Sequence, residues 1–161
     1  MTQVIKAVAL LTIFAAPALP ADAETLAIFP VKLLDTSSEA RDQSADHTRR
    51  QAMMGELFAE GLDVSSVRIE PEQVGADCVP ETAECLFDVA RDAGADQAMF
   101  VSIQKASSLI MNLFVTVADT DNGSVVWNNQ LSFRGDTDES WRRAALFVVD
   151  ELHALPLAGA N

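Results

Sequence analysis

Asp136, Asp138 and Glu139 place three carboxylates within four positions, a density that acid–base chemistry could use if a partner stood nearby. Partners are few. A Ser or Cys nucleophile needs a base within hydrogen-bond reach, and the chain holds two histidines, His47 and His153. His47, beside Asp46 and Arg49, reads as a solvated histidine near a helix start. His153, near the end of the last helix where a cation is favoured, also reads as a solvated histidine. No G-x-S-x-G elbow, G-x-x-x-x-G-K-[ST] loop, H-E-x-x-H or G-x-G-x-x-G occurs in the sequence. The three carboxylates also fit a helix start, because Asp136-Thr-Asp-Glu139 has capping-box form. The expectation is a non-enzyme with no cofactor and no metal. An unrecognised enzyme using carboxylates and Lys105 is the remote alternative.

Asp119-Thr-Asp-Asn-Gly123 superficially resembles a calcium loop, but its glycine comes one position early and position twelve is Gln130, not a bidentate carboxylate. A hairpin turn at Asn122-Gly123 is the better reading. Binding chemistry is less easily set aside. Asn112 interrupts one apolar strand pattern, and Asn128, Asn129 and Gln130 interrupt the next. They mark either a binding face or an edge strand made polar against edge pairing. A pocket between sheet and helices near Lys105, Asn112, Arg134 and Trp141 would suit a small-molecule carrier. Asp138 and Arg143 complete the candidate binding set, with Asp138 and Trp141 equally suited to capping and packing.

The elements that position these residues follow from periodicity. Thr25–Leu34 is an apolar strand with Pro30 near its middle, suggesting a bulge or an end there. A polar loop over Asp35–Ser44 precedes a helix in which Met53, Met54, Leu57, Phe58 and Leu62 recur at helical spacing until Gly61. Val64–Ile69 reads as a second strand closed by Pro71. A loop carrying Gly75, Cys78 and Pro80 leads to Thr82, a plausible N-cap for a helix over Ala83–Ala93 that Gly94 ends.

From Gln97 to Phe133 the period changes to two, giving three strands joined by turns at Ala106–Ser108 and Asn122-Gly123. Trp141, Ala144, Ala145, Val148, Leu152 and Leu155 then line one face of a last helix. The order β-α-β-α-β-β-β-α predicts an α/β fold of two or three layers. Its five-stranded mixed sheet would have the first three strands parallel and the last two antiparallel. Met53, Met54, Met99 and Met111 are expected in the core.

Location is read at the N-terminus. Lys6, an apolar run from Ala7 to Leu19 broken by Pro17, and Ala21-Asp22-Ala23 follow in the order of a secretory signal peptide, with cleavage expected near Ala23. The run is too short to span a bilayer. Residues 24–161 would form one globular domain, periplasmic or secreted, with no stable membrane anchor. Cleavage removes Lys6 and Asp22 together, so the mature chain keeps the formal charge of −13. Arg49-Arg50 and Arg142-Arg143 sit among carboxylates, which disfavours nucleic acid as a partner. In an exported protein the two cysteines, Cys78 and Cys85, favour a disulfide.

Four stretches together carry a resemblance: Leu33-Leu-Asp-Thr-Ser37, Glu84-Cys-Leu to Gly94-Ala-Asp96, Gln104-Lys-Ala-Ser to Asn112-Leu113, and Arg134-Gly-Asp-Thr-Asp-Glu-Ser-Trp-Arg-Arg143. The chain resembles a family of short exported proteobacterial proteins of unknown function, and Asp138-Glu-Ser-Trp-Arg142 is its most specific motif. The resemblance implies export and an α/β domain, with no catalytic residue to carry over. The strand order is also similar to the TolB N-terminal domain and to periplasmic domains of envelope assembly lipoproteins, although no lipid-acceptor cysteine lies near the cut. The expected role is therefore a periplasmic accessory or binding protein that docks a protein partner.

Overall fold

The computed structural model describes residues 24–154, so the expected signal peptide at 1–23 lies outside the described residues. In chain order the elements are β1 (Thr25–Ile28), β2 (Lys32–Asp35), α1 (Ser44–Gly61), β3 (Ser65–Arg68), α2 (Pro71–Asp77), α3 (Ala83–Asp92), β4 (Gln97–Ser107), β5 (Ile110–Asp119), β6 (Val125–Phe133) and α4 (Asp138–His153). The mixed sheet runs β3-β1-β4-β5-β6, with β2 also paired to β4. β1 is parallel to β3 and β4, whereas β4, β5 and β6 form an antiparallel meander.

Six strands stand where five were expected, because Pro30 splits the first apolar run. A proline offers no N–H to a ladder. β1 pairs Leu26–Ile28 with Gln97–Met99, and after the break β2 pairs Lys32–Asp35 with Ser102–Lys105 further along the same strand.

Two apolar layers sandwich the sheet. On one face α1 and α4 bury Met54, Phe58, Trp141 and Val148 against Met99 and Leu113, and each large side chain there contributes about 1.5–3 kcal/mol. Gly61 allows the two helices to close up, since a Cβ there would stand 3.0 Å from the Val149 side chain. On the other face α2 and α3 cover Ala27, Phe29, Ile69 and Ala98. The buried methionines Met54, Met99 and Met111 are core, as their spacing suggested.

Two local readings need correction. α1 begins at Ser44, well before the first apolar repeat, because its first turns bury His47 and Arg50 instead of hydrophobes. α2 occupies what reads as a loop: Pro71 does not merely close β3 but starts a helix at its first position, where a missing N–H costs nothing. Other local signals hold. Thr82 caps α3 by accepting from the Cys85 N–H, and the Cys78–Cys85 disulfide ties the end of α2 to the first turn of α3. Gly123 has φ +69° in the β5–β6 turn, where Asp119 Oδ1 accepts from the N–H groups of Asp121 and Asn122.

Candidate functional site: an ion cluster, a cavity and an open strand face

Asp136 lies just before α4 with its side chain 1 % exposed. Gly135 precedes it at φ +89°, a conformation that suits glycine and turns the carboxylate inward ahead of Thr137, which caps α4 by accepting from the Ser140 N–H. Four donors converge on that carboxylate. Oδ1 accepts from Arg50 Nη1 at 2.8 Å and Trp141 Nε1 at 2.9 Å. Oδ2 lies 2.7 Å from His47 Nε2 and 3.3 Å from Lys105 Nζ. Burial pushes the Asp136 carboxyl up, but the bonds from His47 and Trp141 and the charge of Lys105 prevail and hold it below its ordinary value.

Lys105 comes from the core face of β4 and its side chain is 1 % exposed. Its ammonium stands 3.1 Å from Glu39, 3.3 Å from Asp35 and 3.3 Å from Asp136. None of these contacts has hydrogen-bond alignment, so the ammonium is held by charge from three sides. Burial favours the neutral amine, yet the three carboxylates outweigh it and raise the Lys105 pKa. Glu39, which accepts from the Ser108 hydroxyl and N–H and faces the Lys105 ammonium, is held down to about 2. Asp138, exposed in the first turn of α4, is lowered by Arg50 and Arg49.

This network joins the loop after β2, the start of α1, the end of β4 and the start of α4. Its groups neutralise one another. A lysine held protonated is no nucleophile or base, and a carboxylate saturated with donors has no proton to move. The arrangement positions backbone.

The candidate binding residues therefore separate. Lys105, Trp141 and Asp138 meet in the cluster, Trp141 with no exposed surface and 6.0 Å from the His47 ring. Arg134 and Arg143 lie at the surface instead, beside a shallow depression of about 280 Å³. Asn112 points to the opposite face of the sheet, where its Oδ1 accepts from the Ser132 hydroxyl. Neither this depression nor the cavity at the carboxyl ends of β1 and β3 is lined by Lys105, Asn112 or Trp141.

His47 corrects the solvated reading, being 6 % exposed and bonded to Asp136. Asp136 likewise leaves capping to Thr137. His47, Arg50 and Asp136 are the residues that sequence reasoning missed. A signal for two of them existed: His47, Arg50, Met54 and Phe58 fall on one helical face.

The cavity that opens at the carboxyl ends of β1 and β3 measures about 680 Å³. From β1 the chain crosses one face through α1; from β3 it crosses the other through α2 and α3. Where such connections diverge, an open α/β sheet leaves a crevice. Gly55 of α1 and Gly75 of α2 line it, and a Cβ on either would meet nothing within 4 Å. An interior helical glycine costs about 1 kcal/mol against alanine, and packing inside this chain does not require these two.

The third feature is a bare strand face. α2 and α3 stop over the first half of β4. Beyond them, register and alternation put Ser102, Gln104, Asn112, Phe114, Gln130 and Ser132 on one uncovered surface. Asn128 and Thr116 extend it, and β6 forms its edge. Asn129, by contrast, turns half-buried to the helix side, opposite Val115.

These features define an α/β domain with a buried ion cluster, a cavity at its strand ends and a bare polar strand face. The chain belongs to the family DUF3280, described as a protein of unknown function (DUF2380), whose model matches residues 24–152. No curated protein matches it. Among solved structures it is similar to the PelC dodecamer from Paraburkholderia phytofirmans, with 16% identity and a TM-score of 0.53 over 90% of this chain and 94% of that one. It is similar to lipoprotein GNA1162 from Neisseria meningitidis at 11% identity and a TM-score of 0.50, over 82% of this chain and 99% of that one. TolB from Acinetobacter baumannii aligns at 12% identity and a TM-score of 0.49, over 83% of this chain and 28% of that one. At such identities PelC and GNA1162 share the fold of this chain. Among the described residues no helix is long and apolar enough to cross a membrane.

Proposed function

We propose that the mature chain is an exported envelope accessory protein that docks a protein partner on the open face of β4, β5 and β6 and catalyses no reaction. The observation that carries this reading is the composition of that face. Charged residues make up 22% of the chain, yet the outward positions of β4–β6 beyond the α2–α3 layer carry amides, hydroxyls and Phe114 with no charge, and the adjoining β2 adds exposed Leu34 and, at its start, Lys32. Sheet edges that must only resist pairing use charges, especially lysine. Interface centres instead lose charges and keep aromatics, because uncharged polar groups are less costly to desolvate.

Export rests on the N-terminal segment, with cleavage near Ala23, and the periplasm is the expected compartment. One fold neighbour, GNA1162, is a lipoprotein, which supports an envelope setting. Cross-linked capture from the native periplasm should recover a reproducible partner with the mature protein and lose it with Phe114→Lys at unchanged melting temperature. Equal capture by both forms would remove the open face from the account.

A further inference from the structure

We infer that the cavity at the carboxyl ends of β1 and β3 binds a free single-chain fatty acid, with the acyl chain in the crevice that α1 and α2 flank and the carboxylate on the rim at Arg68 or Lys32. This goes beyond partner docking, and none of the cavity walls belongs to β5 or β6. The volume of about 680 Å³ falls in the range of small-molecule sites, roughly 300–1,000 Å³.

The walls select the chemistry. Val31, Ile69, Val74 and Leu86 are aliphatic, and Phe29 stacks on Phe100 with ring centroids 4.8 Å apart. Apart from Thr48, Gln51 and the rim charges the lining is apolar, so most hydroxyls and amides of a sugar or nucleotide would face walls that offer no partner. Polar groups gather at the rim, where Lys32 pairs with Glu81 and Arg68 with Glu70, the latter at 3.4 Å. Both pairs are exposed, and exposed pairs are weak. A ligand carboxylate can therefore replace either glutamate with little loss. Gly55 and Gly75, one from each helix layer, leave open width that side chains would fill where the two layers meet over the strand ends. The Cys78–Cys85 disulfide secures the end of α2, and Cys78 itself lines the cavity.

The test uses the mature protein with dansyl-labelled undecanoate, followed by fluorescence, and unlabelled palmitate as competitor. Wild type should bind the probe and release it to palmitate. Gly55→Leu and Gly75→Leu, which fill open space, should each weaken binding at least about tenfold while the melting temperature holds or rises. Arg68→Gln with Lys32→Gln should weaken palmitate and spare the matching alcohol. Absence of probe binding by wild type overturns the inference, as does unchanged affinity in both leucine variants. Sedimentation with phosphatidylglycerol vesicles without any response to free palmitate would also overturn it, assigning the surface to membrane lipid instead. Loss of partner capture through Phe114→Lys tests the open face separately, so failure of one reading leaves the other standing.

Discussion

His47 Nε2 lies 2.7 Å from Asp136 Oδ2 across 89 residues of sequence, and the pair clamps the first turn of α1 to the start of α4. Around it, Arg50 and Lys105 spend their charge on the same carboxylate. The cluster thus fixes how both helices sit on the sheet.

Breaking a buried ion pair from one side leaves an uncompensated charge, which costs about 3–5 kcal/mol. Asp136→Asn should lose that much in urea unfolding, because Arg50 and Lys105 remain buried without it. Lys105→Met should cost less, since Asp136 keeps three donors while Asp35 and Glu39 reach solvent. Equal losses would mean that Lys105 is the true centre.

The pH dependence follows in sign from the same residues. Glu39 and Asp136 have lowered pKa values, so their contribution is complete above the unfolded values and is lost as pH falls through the folded ones. For Glu39 that window runs from 4.5 down to about 2. Lys105 is raised above 10.5, so its contribution persists below that value and is lost only as pH rises past it. Urea midpoints should be nearly flat from about pH 5 to 10 and fall on the acid side. Glu39→Gln should flatten that acid limb, and an unaltered limb would contradict its role.

Trp141 and Arg143 stand two positions apart in the stretch Arg134–Arg143 and should behave oppositely. Trp141→Ala empties a core site and should cost about 3–5 kcal/mol. The Arg143 side chain is 69 % exposed, and Arg143→Ala should change stability by less than about 0.5 kcal/mol. Differential scanning calorimetry separates the two.

Reducing the Cys78–Cys85 bridge should remove about 2–3 kcal/mol on the chain-entropy account of so short a loop. Hydrogen exchange should rise in α2 and α3 and stay low around His47 and Asp136, which lie in the other layer. Uniform loosening of both layers would show that the two faces are more tightly coupled than their separate apolar clusters suggest.

Much of this fold was legible in the sequence because its core elements bury hydrophobes at regular spacing. β4 to β6 alternate cleanly, and α4 shows its stripe from Trp141 to Leu152. The ion cluster was less legible because polar residues took core positions. His47 and Arg50 occupy the apolar stripe of α1, and Lys105 continues the series Met99, Val101 and Ile103 on the buried face of β4. Read by position instead of residue type, all three would have been placed inside. Asp136 had no such signal, as its burial depends on Gly135 and on helices distant in sequence. The cavity was illegible for a related reason: its glycines are explained by what lies opposite them, which periodicity does not encode.

The docking face is tested most directly by placing a photoreactive side chain at Gln130 on β6 and, as a control, at Glu56 on the exposed side of α1, then irradiating cells that export the protein. The account predicts a discrete cross-linked species from position 130, lost with Phe114→Lys, and none from position 56. Cross-links from position 56 alone, or equal products from both, would contradict it.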